Sequence, residues 1–167
     1  MTQLRFISVL SLMLLAGATN AAAQDRLGGH FGFAFPLVAH GDGTTTTISD
    51  DFVIAVPMGI TVKRSEKFAF DLELAPVIQN DPRHIDLTVH PGLAWGIGGG
   101  YSIGSRIAFD IGSATWGFTP LFNKGLVEMG KSATFFGELD VPIRFKEDSA
   151  GKGYTSVGLA VVFGVGF

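Results

Sequence analysis

Seven charged side chains sit at alternate positions of otherwise apolar runs, and any chemistry would start with them. Asp71 and Glu73 stand in Asp71-Leu72-Glu73-Leu74-Ala75-Pro76, and Glu138 and Asp140 stand in Glu138-Leu139-Asp140-Val141-Pro142. Arg106, Asp110 and Arg144 hold the same parity in their own runs. A spacing of two puts such residues on one face of a strand. Five carboxylates and two guanidiniums on a shared face either line a polar passage or pair into an ion network. Pairing is the expectation, because an unmatched charge away from water is costly.

Other constellations are weaker. His84, Asp86 and His90 also share one parity, and imidazole-carboxylate-imidazole is a divalent-metal donor set. Strand positions six apart are separated by about 20 Å, however, far beyond one ion's coordination sphere. No metal or other cofactor is expected. Catalysis would need a nucleophile, a base and an orienting group in mutual reach. The histidines are His30, His40, His84 and His90, and Ser102, Ser113 and Ser156 stand in no nucleophile motif. A barrel-embedded lipid-modifying enzyme or protease is therefore the disfavoured alternative, and no enzyme is expected. Gly96-Ile97-Gly98-Gly99-Gly100-Tyr101 lacks the glycine spacing and the following helix of a phosphate loop. With no cysteine, thiol chemistry and disulfides are absent.

These side chains need a scaffold, and composition indicates where it resides. The chain is 47% hydrophobic and 16% charged, with Gly 23 and Phe 15 among 167 residues. Its mean hydropathy of +0.37 is high for a water-soluble domain. A net charge of −3 gives nucleic acid nothing to bind. Residues 1–23 read as a signal peptide: Arg5, an apolar stretch from Phe6 to Ala18, then Ala21-Ala22-Ala23 before Gln24. The apolar stretch is too short for a spanning helix. The mature domain is then 24–167.

That domain alternates with the period of a strand. Phe31, Phe33 and Phe35 oppose His30, Gly32 and Ala34. Phe70, Leu72 and Leu74 oppose Asp71, Glu73 and Ala75. Val157, Leu159, Val161 and Phe163 oppose Ser156, Gly158, Ala160 and Val162. One face is bulky and apolar; the other is glycine and alanine with sparse charges. A solvated sheet face would carry more polar residues. The pattern predicts an all-β, antiparallel, up-and-down transmembrane barrel of eight strands. Its lumen is filled by small side chains and ion pairs, and its bulky face meets lipid. Trp95, Tyr101, Trp116, Phe118 and Phe145 are candidates for interfacial girdles.

Seven runs are readable: 27–38, 52–63, 68–79, 84–103, 106–112, 133–145 and 154–167. An even count is needed to close, so an eighth strand is expected, either at 115–123 or by splitting 84–103 at His90-Pro91-Gly92. Turns are expected at 64–66, at Gly104-Ser105 and over 124–131, with a long exposed loop over 40–51. Pro36, Pro57, Pro76 and Pro142 fall inside runs, where each removes a ladder donor, so bulges are expected there.

The final run carries Ser156-x-Gly158-x-x-Val161-x-Phe163, and the chain ends on Phe167. With the leader and the alternation, this resembles small bacterial outer-membrane β-barrel proteins of the eight-stranded type. Their last strand bears a polar-x-Gly-x-x-apolar-x-apolar assembly signal. Here the motif ends four residues before Phe167 rather than at it. The resemblance implies a Gram-negative outer membrane, contact with its lipids, and insertion by the barrel-assembly machinery. The expected role is structural or surface-interacting, with specificity in 40–51. Two alternatives stand beside it: a narrow pore or carrier for small hydrophobic molecules, and a soluble periplasmic lipocalin-like barrel with its bulky face inward.

Overall fold

A computed structural model describes residues 26–80, 83–148 and 150–167. The signal-peptide segment 1–23 lies outside the described residues. Among the described residues eleven strands follow one another: β1 (Leu27–Gly41), β2 (Thr44–Thr47), β3 (Val53–Ala55), β4 (Met58–Lys63), β5 (Phe68–Asn80), β6 (Arg83–Gly98), β7 (Tyr101–Ile111), β8 (Trp116–Met129), β9 (Ala133–Asp140), β10 (Ile143–Glu147) and β11 (Gly153–Gly166). β2, β3 and β4 run along one stave, since all pair with β1. β9 and β10 likewise share the stave between β8 and β11. The strands thus make eight staves, each antiparallel to its neighbours.

β11 pairs with β1 from His30↔Gly166 to Gly41↔Ser156, and this contact closes the ring. The seam extends to the last residue: Gly29 N–H donates to Phe167 O at 2.8 Å, and Phe167 N–H donates to Gly29 O at 2.9 Å. A closed ladder leaves no unpaired edge, the condition for strands to cross a membrane.

Side-chain direction follows the alternation. Phe33 is 44% exposed and Ile97 54%, whereas Asp71 is 9% and Glu138 7%. The bulky face points out and the small, charged face points in. The buried apolar core is mostly small residues, among them Ala75, Ala108, Ala160 and Val162. A lipocalin-like interior of bulky side chains is the reverse of this arrangement.

The turns differ from expectation in several places. The run 84–103 is two strands joined at Gly98-Gly99-Gly100, whose φ values are 96°, 61° and 75°. Only glycine adopts such a succession readily. β6 continues through Pro91, so no split occurs at 90–92, and Gly104-Ser105 lies inside β7 opposite Ala94 and Leu93. The eighth stave is β8, at the place expected but longer, absorbing most of the supposed turn at 124–131. The segment 40–51 is largely a hairpin, not a loop. β1 turns at Asp42-Gly43 (φ 48° and 71°) and returns as β2. Positive φ at both central residues is the type I′ pattern, which matches strand twist. The bend after β2 is held by Asp50, whose carboxylate accepts the Thr47 amide and hydroxyl, each at 2.8 Å. Those two bonds hold the Asp50 carboxyl below its usual range.

The prolines are accommodated in three ways. Pro36 sits at a bulge, where the β1–β11 register shifts between Pro36 and Val38. Pro57 and Pro142 interrupt their staves, but their carbonyls still accept Gly32 N–H at 2.9 Å and Gly158 N–H at 2.8 Å. Pro76 stays in register opposite Leu87, and its carbonyl accepts Val56 N–H. A proline loses one donor and keeps its acceptor, so the ring survives all of them.

Candidate functional site

The inward face converges on Arg106 of β7. Its Nε donates to Asp71 Oδ2 at 2.9 Å and its Nη1 to Glu138 Oε1 at 2.7 Å, while Nη2 lies 3.5 Å from Glu73 Oε2. Three carboxylates from β5 and β9 thus share one guanidinium. Their remaining oxygens are also engaged. Thr61 Oγ1 donates to Asp71 Oδ1 at 2.9 Å, and Asn123 Nδ2 donates to Glu138 Oε2 at 2.9 Å. Glu73 lies between two imidazoles, with His90 Nδ1 at 2.7 Å and His30 Nε2 at 3.0 Å. His30 Nδ1 is also 3.6 Å from Asp71 Oδ1, so both its nitrogens face carboxylates.

Arg144 of β10 joins this layer through His90. Its Nη2 lies 3.3 Å from His90 Nε2, while Nη1 donates to Thr119 Oγ1 and to the carbonyls of Phe118 and Ile143. Arginine only donates, so His90 accepts at Nε2 and donates from Nδ1. Asp110 stands apart, accepting from Thr88 Oγ1 at 2.7 Å. Asp140 Oδ1 is buried without a hydrogen-bond partner among the described residues. Of the seven residues expected to form a lumen network, Asp71, Glu73, Arg106 and Glu138 meet directly. Arg144 meets them through a histidine, and Asp110 and Asp140 border them.

His30, Thr61, His90 and Asn123 complete the layer and were not in the expected network. Their parity was the available signal, since each lies on the face that carries the acids. Two glycines give the layer its room. Gly59 pairs with His30, and a Cβ there would lie 2.3 Å from His30 Cε1. Gly92 pairs with Arg106, and a Cβ there would lie 2.6 Å from its Cγ. Each bulky side chain lies across a neighbour that has none.

The layer divides the lumen. A cavity of about 840 Å³ opens toward the chain termini, with His30, Asp71, Arg106 and Glu138 in its lining. A cavity of about 260 Å³ lies on the other side, bordered by Glu73, His90, Asp140 and Arg144. His30, Asp71 and Glu73 could bring three donor atoms within 4.8 Å of one another. Arg106 already holds both carboxylates, so this set serves a guanidinium. His84 and His90 do not converge: His84 lies 3.1 Å from Asp86, while His90 is bound to Glu73. His40 is bound to Thr45 Oγ1 at 2.8 Å, and Ser113 Oγ accepts the Thr115 amide.

The outer wall carries aromatic clusters near both ends. Phe68 packs on Trp95 at 5.5 Å and Tyr101 on Phe122 at 5.6 Å, with Lys124 Nζ 3.8 Å above the Tyr101 ring. Toward the opposite end, Trp116 packs on Phe145 at 4.6 Å and Phe118 lies 6.3 Å from Phe145. Tyr101 and Phe109, the residue paired with Trp116, span about 26 Å of β7, or about 20 Å along the axis at a tilt of ~40°. That approaches the ~25 Å apolar band of membrane barrels. The chain is a transmembrane-type β-barrel.

No protein-family model and no curated protein sequence matches the chain. Among solved structures it is similar to the outer membrane protein OprG from Pseudomonas aeruginosa, at 11% identity and a TM-score of 0.47, over 84% of this chain and 94% of that one. It is also similar to a de novo designed transmembrane β-barrel, at 11% identity and a TM-score of 0.35, over 83% and 94% of the two chains. The fold assignment rests on the closed ladder and the inverted polarity described above.

Proposed function

We propose that this chain is an integral protein of a bacterial outer membrane, with a structural or surface-interaction role and a lumen shut by the Arg106 layer. The observation that carries this reading is the reversal of polarity. Apolar side chains cover the outside between two aromatic clusters, while the buried charges fill the inside. Outer-membrane lipids are its permanent partner. During biogenesis the barrel-assembly machinery reads Ser156, Gly158, Val161, Phe163 and Phe167. All five lie on or beside β11, the strand that closes the seam. The Asp42-Gly43 hairpin is the segment offered to other surfaces, and no catalytic role is assigned.

Fractionation followed by gel migration with and without heating tests the membrane assignment. Recovery with detergent-extracted membranes and a faster-running unheated band are expected. Recovery from a detergent-free periplasmic extract would instead mean a soluble barrel. Planar-bilayer recording tests the closed lumen, and silence is expected. Discrete openings would favour the narrow-pore or carrier reading. Its specific support is that two cavities are separated by one layer of side chains.

A further inference from the structure

The two rims of the barrel carry opposite charge. At the rim that holds the chain termini, β1 begins, β4 and β8 end, and the β4–β5, β6–β7 and β8–β9 turns close. Its described cations are Arg26, Lys63, Arg64, Lys67, Lys124 and Lys131, against the acids Glu66 and Glu128. Among the described residues the ion pairs lie with histidines and Arg106, and none reaches these six. At the opposite rim Asp42, Asp50, Asp51, Glu147 and Asp148 outnumber Arg83, Lys146 and Lys152. The contrast extends to the lipid-facing wall. On β8 the outward position beyond Phe122 is Lys124, whose Nζ lies 3.8 Å above the Tyr101 ring. Lys67 adjoins Phe68, which packs on Trp95 at 5.5 Å, and the Lys67 carbonyl accepts Gly96 N–H at 2.7 Å. On β10 the outward position beyond Phe145 is an acid, Glu147. Aromatic girdles sit at headgroup level, so Lys67 and Lys124 stand at the depth of lipid phosphates.

We propose that the rim beside the chain termini binds anionic phospholipid headgroups of the phosphatidylglycerol kind, in the leaflet that it faces. The proposal rests on the lipid-facing reading of the outer wall and adds to it a headgroup class and a side. Ammonium and guanidinium groups donate charge-assisted hydrogen bonds to phosphate oxygens. Long lysine and arginine stems lie along an apolar wall while their charges reach the headgroups. Clustered cations beside an anionic surface each add attraction, within a Debye length of about 10 Å at 0.1 M salt. Phosphatidylcholine carries its own cation on each headgroup and presents no net charge to this rim. The opposite rim, with its excess of acids, repels the anionic lipid, so the two leaflets are told apart by charge.

The chain carries one reporter for each girdle. Its two tryptophans are Trp95, near the basic rim and 52% exposed, and Trp116, near the acidic one and 51% exposed. The full-length protein is folded into mixed phosphatidylcholine and phosphatidylglycerol vesicles, with bromine on the acyl chains of one lipid at a time. Bromine quenches the fluorescence of a tryptophan beside it, and Trp116→Phe or Trp95→Phe isolates each reporter. The preference for phosphatidylglycerol over phosphatidylcholine at Trp95 should exceed that at Trp116 by at least about threefold, and should fade between about 0.05 M and about 1 M salt. Combining Lys63→Gln, Arg64→Gln and Lys67→Gln, all exposed positions, should abolish the difference while keeping heat-modifiable migration. Glu147→Lys should raise the preference at Trp116, which keeps the test open if the triple variant fails to fold. Equal preference at the two tryptophans, insensitivity to salt, or an unchanged difference in the folded triple variant would each overturn the proposal. Equality would leave the six cations to a water-soluble polyanion. Quenching of both tryptophans without preference would overturn the headgroup proposal alone, whereas no quenching by either lipid would overturn the membrane assignment with it.

Discussion

The inner and outer faces of the same strands solve opposite problems. On β5, Asp71 and Glu73 are buried and hydrogen-bonded, while Phe70 and Leu74 beside them are exposed. The outer face needs only bulk and apolarity, and tolerates exchange among Phe, Leu, Ile and Val. The inner face needs particular partners, since a buried charge left alone costs several kcal/mol. One backbone therefore carries a permissive surface and a demanding one, two residues apart in period.

The sharpest way to break this contrast is Arg106→Ala. It would leave Asp71, Glu73 and Glu138 facing one another, and a loss of about 3–5 kcal/mol is expected. Equilibrium urea unfolding in lipid vesicles measures it; a loss under 1 kcal/mol would show that the layer is not held by this guanidinium. Next is the outer face. Phe33→Lys, near the middle of β1, should cost about 2–4 kcal/mol in the same assay, whereas Phe33→Leu should be close to neutral. Equal effects from the two would remove the lipid-facing assignment. Smaller is Gly59→Val, which drives a side chain into His30 and should cost about 1–3 kcal/mol. His30→Ala in the same chain should recover part of that loss.

The smallest effect lies outside both faces. Asp50 is an exposed acid held below its usual range, so its bonds to Thr47 are fully present above the ordinary aspartate value near 3.8. They are lost as pH falls through the lowered value of the folded state. The Thr47 amide resonance should therefore move only at a pH below 3.8. A midpoint above that would show that the bend is held otherwise.

How legible each part was in the sequence depended on whether parity survived. Across β5, β11 and β1 as far as the bulge at Pro36 it did, and the direction of those faces could be read. It also survived where it misled. Ile97 and Tyr101 are both odd and both outward, so three intervening glycines and a register shift at Gly96/Gly98 hid a hairpin inside one long run. In β8 parity failed. Leu121 is buried on the inward side, Lys124 lies on the outward one, and a shift between Gly125 and Val127 moves the pattern by one residue. The charged layer was half visible. Its acids and arginines stood out by charge, but His30 and His90 had to be placed by pairing. His30 belongs beside Glu73 because β1, β4 and β5 are neighbours, a fact of topology that local spacing does not carry.

Arg106 also guards the alignment of the staves. If one strand slid along its neighbour by a single position, every side chain on it would exchange inside for outside. For β5, Asp71 and Glu73 would then be delivered to hydrocarbon and Phe70 to a space shaped for an acid. A slide by two positions would keep the faces but place Glu73 where Asp71 meets the Nε of Arg106. The guanidinium thus acts as a key that fits one setting of the ring, in a fold whose greasy exterior would accept several.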